Sequence, residues 1–459
     1  MKKFIKSLFM VFLIIASFSV YAETDTLIEE WIVEFDVDHD NSRDMKIGPE
    51  GNIYVLGETG TTIGWVPNDI YLIKYDSLGG LVWQQNIPNS NYARAITLDS
   101  TGNVYVLGNN ADPYFAIIAK YDSEGNQQWV TQYNSPYPVE HVKRIVFDSE
   151  NNIFISLQSN PNYLGGDQHI ILVKFDNQGN ELWSRDINTR YYGFPDRTFY
   201  EDVPISIDSE DNLVLGKYKE LGFGTNDLEM FLIKYSPGGT TLWDYTNGIL
   251  DNEDIITDIV IDSLDNIYIT GFSSSFSFVQ PKFVFTSKFD SEGNLQWTKK
   301  FNIDLRTQEY AESIDLDPNE NIVVSGRYDG ENGIDTFLVK YDPDGNLIWT
   351  NTYEGLYGND WPTEMEFDNE SIYLTGSTEG SDGYYDRFIL KYNNQQGSLE
   401  EEVIYDSNVI GVGVPFMFAN RHTFLEIDSS EDCIYSTGNY YDLTLPMKED
   451  IHTIKYCQE

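Results

Sequence analysis

The most chemically suggestive stretch of the sequence reads Asp-Val-Asp-His-Asp-Asn-Ser-Arg-Asp and covers residues 36–44. Its first, third, fifth and ninth positions are carboxylates: Asp36, Asp38, Asp40 and Asp44. Oxygen ligands at such spacings in a tight loop suit a hard cation, and Ca²⁺ is the expected one. The twelfth position is Ile47, which excludes a complete EF-hand with its bidentate glutamate. The chain is very acidic, so chance acidity is the alternative interpretation.

A second group of candidates is basic. Arg43, Arg94 and Lys143 occupy equivalent positions in the first three of eight sequence repeats, and Arg144 follows directly. The other five repeats carry Val203, Thr257, Glu312, Thr363 and Thr423 at this position. A basic arc of this kind suits a carboxylate or sulfate ligand. The alternative is a set of structural salt bridges with Asp44, Asp202 or Asp258.

Aromatic residues recur in the polar stretches between the strand patterns. Such rings stack on sugars or anchor peptides. The ligand-binding candidates of this type are Trp65, Trp361, Tyr191 and Tyr192. Taken singly, each ring fits packing of the loops onto one another better. Taken as a set, they fit a binding surface as well as they fit packing between the loops.

Sequence patterns of known catalytic sites are missing from the chain. None of its five histidines belongs to a His-Glu-x-x-His metal pair. Neither a Gly-x-Ser-x-Gly elbow nor a phosphate-binding loop occurs. Acidic residues are so numerous that a two-carboxylate glycosidase site is neither excluded nor located. The sequence therefore favours a non-catalytic role and leaves catalysis open.

The elements that position these residues follow from an internal repeat. A Lys-aromatic pair recurs at intervals of 46 to 64 residues, beginning at Lys74, Lys120, Lys174, Lys234, Lys288, Lys340, Lys391 and Lys455. Each repeat contains several short strand patterns, and a period of about fifty residues is typical of a β-propeller with one blade per repeat. We therefore expect an all-β, eight-bladed β-propeller of four-stranded antiparallel blades.

The second repeat illustrates the expected blade. Its strands are predicted over Arg94–Leu98, Val104–Gly108, Phe115–Tyr121 and Gln128–Tyr133. Asp-Ser-x-Gly-Asn turns separate them, because Gly tolerates positive φ and the Asp or Ser side chain bonds nearby backbone. A tryptophan follows the second turn in most repeats and is expected to pack between blades. The seventh repeat departs from this pattern, with Glu401 in place of tryptophan.

The two ends of the repeat region are expected to close the ring. The eighth repeat stops after its third strand, and residues 31–35 match the missing fourth strand. We therefore predict that the N-terminal strand completes the last blade and that residues 23–459 form a single domain. Cys433 and Cys457 then fall at the start of one strand and the end of its neighbour, which predicts a disulfide between them.

Residues 1–22 are typical of a secretory signal peptide. Lys2, Lys3 and Lys6 precede an apolar stretch, and residues 20–22 place small side chains at the cleavage-defining positions. That stretch is too short to predict a membrane span. We therefore expect a soluble secreted or periplasmic protein without a membrane span.

The charge balance disfavours one class of partner. The chain has 29 Lys and Arg residues against 74 Asp and Glu residues, a formal net charge of −45. Nucleic-acid binding depends on neutralising phosphates with basic side chains, so it is disfavoured. So acidic a surface repels other copies of the chain, and a monomer is expected. Attraction of cations or basic partners is the alternative interpretation.

The repeat resembles the bacterial beta-propeller repeat family of exported proteins. The likeness is carried by residues 52–83, 103–129, 266–297 and 321–349. It implies the fold and no particular activity. A weaker likeness is to eight-bladed propellers of the pyrroloquinoline-quinone type. The spacing from Asp122 to Gly125 is one residue shorter than in that family, and no quinone cofactor is expected.

A third likeness concerns the acidic stretch at residues 36–44. Its spacing is similar to the calcium loops in the propeller of integrin α-chains, with Asn41 in place of their glycine. Asn accepts the left-handed conformation better than most residues. The sequence as a whole predicts an exported, non-catalytic binding module that uses the variable-loop face of the propeller for a carbohydrate or protein partner. A polysaccharide-active lyase or hydrolase on the same scaffold is the competing hypothesis.

Overall fold

The coordinates are a computed structural model that describes residues 26–35, 39–60, 67–87, 90–111, 114–137, 139–159, 169–189, 203–220, 228–248, 253–274, 283–303, 308–381, 385–405, 423–428, 431–442 and 448–458. All the regular secondary structure within these ranges is β-strand, and no helix occurs there. This part of the chain accordingly offers no helical segment that could cross a membrane. The described part of the protein is all-β, as the sequence predicts.

The strands follow one another as four-strand units, which we call repeats one to eight. Repeats one to four comprise His39–Ile47 (β2), Ile53–Gly60 (β3), Pro67–Tyr75 (β4), Leu81–Ile87 (β5); Tyr92–Leu98 (β6), Val104–Ala111 (β7), Tyr114–Tyr121 (β8), Gln127–Tyr133 (β9); Val139–Phe147 (β10), Ile153–Ser159 (β11), His169–Phe175 (β12), Glu181–Asn188 (β13); Ile205–Ile207 (β14), Leu213–Glu220 (β15), Leu228–Tyr235 (β16), Thr241–Asn247 (β17).

The second half of the chain continues the pattern. Repeats five to eight comprise Glu253–Ile261 (β18), Ile267–Ser274 (β19), Phe283–Phe289 (β20), Leu295–Phe301 (β21); Glu309–Leu316 (β22), Ile322–Asp329 (β23), Ile334–Tyr341 (β24), Leu347–Tyr353 (β25); Asp360–Phe367 (β26), Ser371–Glu379 (β27), Tyr385–Asn393 (β28), Leu399–Tyr405 (β29); Phe424–Asp428 (β30), Cys433–Asp442 (β31), Lys448–Gln458 (β32) and Leu27–Phe35 (β1). The strands of repeat two match those predicted, each within three residues at either end.

Hydrogen bonding groups the described strands into seven sheets, which corrects the expectation of one separate sheet per blade. Six sheets are antiparallel and four-stranded. The seventh contains eight strands, because repeats four and five are joined by a single parallel pair between Leu228 of β16 and Glu253 of β18. Within that sheet each of the two repeats is still an antiparallel meander.

The turns within a repeat are stabilised by their aspartates. In the first turn of repeat two, Asp99 Oδ1 accepts hydrogen bonds from the backbone N–H groups of Thr101 and Asn103, both at 3.0 Å. Gly102 in the same turn has φ = 80°, a conformation that glycine adopts without steric cost. This geometry accounts for the recurrence of the Asp-x-x-Gly-Asn pattern.

Neighbouring repeats are joined by the tryptophans. Trp83 Nε1 of repeat one donates to the Ser123 carbonyl of repeat two at 3.1 Å, and the Lys74 ammonium donates to the same oxygen at 2.9 Å. The indole ring lies against Gly125, where an added Cβ would meet it at 2.8 Å. The same indole donation to a turn carbonyl of the next repeat is made by Trp129, Trp183, Trp243, Trp297 and Trp349.

The first strands of the repeats form a cyclic series, and we call them the inner strands: β2, β6, β10, β14, β18, β22, β26 and β30. Each contacts the inner strand of the following repeat, and β30 contacts β2. The N-terminal strand β1 pairs antiparallel with β32, from Leu27 opposite Gln458 to Phe35 opposite Ile451. It supplies the fourth strand of repeat eight, as the sequence predicts.

Two further contacts stabilise repeat eight. Trp31 Nε1 donates to the Ser77 carbonyl of repeat one at 3.2 Å, which repeats the inter-repeat contact made elsewhere by tryptophan. Cys433 and Cys457 lie directly opposite each other on β31 and β32 and form a disulfide with Cα atoms 4.1 Å apart. The predicted disulfide is therefore confirmed.

Candidate functional site

Seven of the eight inner strands, all but β14, line a cavity of about 760 Å³, which we call the central cavity. In most of these strands the pairing register shifts by one residue, for example between Ser42 and Asp44 of β2. Such a β-bulge leaves one extra residue without a partner and breaks the alternation of side chains. As a result, two consecutive residues line the cavity, as Arg43 and Asp44 do.

One side of the central cavity is basic. Arg43 forms an ion pair with the buried carboxylate of Glu58. The Arg94 guanidinium donates from Nε to Asn109 Oδ1 at 3.1 Å.

Arg144 belongs to the same side. Its Nη2 lies 3.1 Å from Asp258 Oδ1, so it links repeat three to repeat five. This ion pair is one of the structural salt bridges that the sequence left open.

The opposite side combines an ion pair with an aromatic pair. Arg327 Nε lies 3.1 Å from Glu312 Oε1, and both residues line the cavity. Trp361 also lines it and stacks on Tyr385, with ring centroids 5.2 Å apart and planes 22° apart. Cation donors, carboxylate acceptors and an aromatic face therefore border one space.

Several inner-strand carboxylates serve the scaffold. Each is held by the backbone N–H of an inner-strand residue in the next repeat. The pairs are Asp44 Oδ2 with Ile96 at 2.8 Å, Asp258 Oδ2 with Ile314 at 3.1 Å, and Glu364 Oε2 with Leu425 at 2.7 Å. These bonds clamp adjacent inner strands together and fix the carboxylates in place.

Further along the inner strands lies a group that we call the acidic cluster: Glu364, Glu366 and Glu426. One carboxylate oxygen from each lies within 4.8 Å of the others. Lys46 forms an ion pair with Glu426. Burial, with the neighbouring carboxylates, raises the pKa of Glu366 to about 8 and that of Glu364 to about 7. Near neutral pH such a cluster retains protons, and carboxylates at these distances are also able to ligate a divalent cation.

The ligand-binding residues predicted from the sequence fall into two groups. Arg43, Arg94 and Trp361 all line the central cavity. Trp65, Tyr191 and Tyr192 lie outside the described residues. The backbone of Lys143 is described, but its side chain is not. The structure thus brings one aromatic candidate together with two members of the basic arc.

The predicted calcium loop has a different local structure from the one expected. Residues 39–47 form strand β2, paired with β3, whereas the sequence predicts a tight loop. The Asp44 carboxylate lines the cavity and accepts N–H bonds from Ile96 and Met45, so it is already engaged. Asp36, Asp38 and the side chain of Asp40 lie outside the described residues.

Sequence reasoning missed the acidic cluster. Lys46, Asp315, Glu366 and Glu426 occupy one equivalent inner-strand position, three residues beyond the position of Arg43 and Arg94 in each repeat. Aligning that position across the repeats would have revealed one base and three acids facing one another. Burial raises the pKa of Asp315 as well, to about 6.

Comparison with known proteins shows a distant relationship to a repeat protein. No family model matches the chain. An alignment 355 residues long, which covers 60% of this chain, shows 24% identity to an uncharacterized WD repeat-containing protein of Acanthamoeba polyphaga mimivirus. The chain spans only 23% of the length of that relative. Together with the four-stranded antiparallel meanders, this similarity supports a β-propeller.

Solved structures resemble the chain at low similarity. Polysaccharide lyase Uly1 has a TM-score of 0.46 and 10% identity, covering 90% of this chain and 89% of its own. A periplasmic gluconolactonase of Pseudomonas aeruginosa has a TM-score of 0.45 and 11% identity, covering 77% and 95%. A protein from Lactobacillus plantarum has a TM-score of 0.46 and 12% identity, covering 80% and 97%. Similarity at this level says nothing about activity.

Proposed function

We propose that the chain is an exported eight-bladed β-propeller that binds a carbohydrate at the mouth of its central cavity. The mouth is the end at which the inner strands begin, next to the variable connections. The cyclic contacts from β2 round to β30 support eight blades, with repeats four and five counted separately. The signal-like residues 1–22 support export, and N-terminal sequencing of the secreted protein should begin at Glu23.

The observation that carries the binding proposal is the position of Trp361. Its ring is stacked on Tyr385 and borders the same cavity as Arg94, Glu312 and Arg327. An aromatic face flanked by charged donors and acceptors matches the mixed apolar and hydroxyl surface of a sugar ring. A volume of about 760 Å³ falls within the usual range for small-molecule sites.

Titration calorimetry with a panel of neutral and acidic oligosaccharides tests the proposal. We expect Trp361→Ala to weaken binding at least tenfold without lowering the melting temperature by more than a few degrees. Tyr357→Ala is the matched control, because Tyr357 is half exposed, lies in the connection before β26 and does not line the cavity. Equal affinities for the parent and Trp361→Ala would reject the site. A protein that co-purifies while all sugars fail would point to a protein partner.

The second candidate function is a polysaccharide-active enzyme of the same cavity. It is favoured by Glu366, whose raised pKa of about 8 leaves the carboxyl protonated at neutral pH, as a general acid requires. Release of reducing ends or of unsaturated products from polysaccharides measures this activity directly. Glu366→Gln should then abolish turnover and preserve binding. Binding by the parent protein without any turnover would leave the non-catalytic module as the function.

A further inference from the structure

One position in the third strand of each repeat packs against the next repeat. It lies four residues before the repeat lysine, and its occupants are buried and uncharged in seven repeats: Ile70, Ala116, Ile170, Met230, Val284, Thr336 and Ile451. In repeat seven the position holds Arg387, which is only 2% exposed. A charged residue thus replaces a core residue at one place in the ring.

The packing of Arg387 follows that of its uncharged counterparts. A Cβ added to Gly438 of repeat eight would meet Arg387 Cδ at 2.6 Å. The same relation holds between Gly108 and Ile70, also at 2.6 Å. The guanidinium therefore lies inside the interface between repeats seven and eight, which we call the closing seam.

Few polar groups surround this guanidinium. Its Nη1 donates to the His452 carbonyl at 3.2 Å, and its central carbon lies 4.6 Å from the centre of the Tyr405 ring. The Tyr405 hydroxyl is hydrogen-bonded to His452 Nδ1 at 2.9 Å. Burial, together with the Arg387 charge, lowers the pKa of His452 to about 4, so the imidazole is neutral.

One edge of the guanidinium has no partner. Both Nε and Nη2 are buried, and neither has a hydrogen-bond acceptor. Across the described ranges Arg387 forms no ion pair with a carboxylate. Burial lowers its pKa, and a hydrogen bond with the Tyr405 side chain offsets this only in part. Arginine nevertheless keeps its charge in proteins, and a buried, uncompensated charge is strongly unfavourable.

The Nε and Nη2 N–H groups lie in the guanidinium plane and point in parallel from one edge, the arrangement that receives an anion bidentately. We propose that this edge of Arg387 binds a small monovalent anion within the closing seam, either a halide such as chloride or a small planar oxyanion such as formate. The anion supplies the charge that a carboxylate side chain would otherwise provide. It thereby stabilises the junction at which the N-terminal strand completes the ring.

Anion-dependent melting tests the proposal on the full chain. Sodium gluconate, whose anion is too large for the seam, is replaced by sodium chloride or sodium formate at constant ionic strength. We expect a saturable rise in melting temperature on the order of 1–2 °C for the parent. Arg387→Met installs the residue type that repeat four carries at this position, as Met230, and should show no such rise.

A crystallographic measurement keeps the test decisive if Arg387→Met does not fold. Crystals of the parent grown with sodium bromide should show an anomalous peak within hydrogen-bonding distance of both Nε and Nη2, and crystals grown with formate should show planar density there. A response to one anion alone supports the proposal and identifies its chemistry. Equal melting responses in parent and Arg387→Met, or no saturable rise and no density at the edge, would overturn it.

Discussion

The backbone amide of Leu27 donates a hydrogen bond to Glu401 Oε1 at 2.7 Å. This bond explains why repeat seven lacks the tryptophan found at this position in the others. Elsewhere the indole donates to the turn between the third and fourth strands of the next repeat. Repeat eight has no such turn, because its third strand β32 and its fourth strand β1 come from distant parts of the sequence. Glu401 instead holds the first amide of the closing strand.

Removing this carboxylate should loosen the closing strand. We expect Glu401→Ala to lower the free energy of unfolding by about 0.5–1.5 kcal/mol, the usual contribution of one hydrogen bond. Glu401→Trp should not recover the loss, because the ring finds no turn to contact. Urea denaturation measures both variants, with Glu30→Ala on the exposed face of β1 as the control. A Glu401→Trp variant more stable than the parent would contradict this explanation.

Adjacent glycines in the second turn of repeat four should differ in their tolerance of alanine. Gly239 has φ = 76°, and a Cβ there would lie 2.8 Å from the Trp183 ring. Gly239→Ala should therefore cost on the order of 1–3 kcal/mol through backbone strain and ring displacement. Gly238→Ala is the matched control, since its Cβ would meet only Ser236 Oγ at 4.0 Å. Equal melting temperatures for the two variants would argue against the indole contact.

A buried carboxyl pair between repeats six and seven should make stability depend on pH. Burial, with repulsion between the two groups, raises the pKa of Asp335 to about 7; burial also raises that of Asp360 to about 6. Because the folded values exceed the unfolded value of about 4, the unfolded chain releases protons first as pH rises. The contribution of this pair to stability should therefore fall between about pH 4 and pH 7.

The variant Asp335→Asn isolates that effect. It retains a donor toward Asp360 and removes one of the two charges, so it should raise the melting temperature at pH 8 and flatten the pH profile. Asp344→Asn, at an exposed position in the next turn of the same repeat, should leave the profile unchanged. A parent protein that melts at the same temperature at pH 4.5 and pH 7.5, and a variant that matches it, would disprove the assignment.

The disulfide should stabilise the same repeat that the N-terminal strand completes. Cys433 and Cys457 are 24 residues apart, and a loop of that size corresponds to about 3 kcal/mol in the chain-entropy description. The double variant Cys433→Ser, Cys457→Ser should lose about that much by chemical denaturation. A reducing agent should lower the stability of the parent by the same amount and leave the variant unaffected. Unequal losses would show a contribution beyond loop closure.

The calcium prediction concerns Asp36, Asp38 and Asp40, since the Asp44 carboxylate is engaged within the cavity. Titration calorimetry with Ca²⁺ should give a binding heat that Asp38→Asn abolishes. The melting temperature should rise with Ca²⁺ for the parent only. No heat and no rise in the parent would reject calcium as a cofactor.

The architecture could be predicted because each repeat contains short sequence patterns that determine its own turns and its contact with the next repeat. The turn pattern around Asp99, Gly102 and Asn103 specifies a hairpin by hydrogen bonds within five residues. Trp83 and its counterparts then mark the interface with the next repeat. The turn pattern and the tryptophan are both short and recur in the repeats, so both can be recognised in the sequence alone. The parallel pair that joins repeats four and five depends on one backbone contact and leaves no such signal.

The site was less predictable because β-bulges change which side chains of the inner strands face the cavity. Strict alternation would place Thr363 and Glu364 on opposite faces of β26, yet both line the central cavity. The register shift between Pro362 and Glu364 accounts for this. Arg43 and Arg94 share one position in the repeats, and that position is basic in the first three repeats. Glu366 and Glu426 share another position, where only a comparison across all eight repeats shows the clustered charge.

The pairing of β1 with β32 also has a mechanical consequence. Leu27 lies opposite Gln458, so the start of β1 and the end of β32 lie side by side at the same end of the last sheet. A force that pulls these ends apart would open the pair like a zipper, one hydrogen bond at a time, rather than shear all of them at once. The disulfide between Cys433 and Cys457 joins β32 to β31 and therefore leaves that zipper free to open. Tension applied through both ends would release the first strand at low load, while the remaining repeats stay folded.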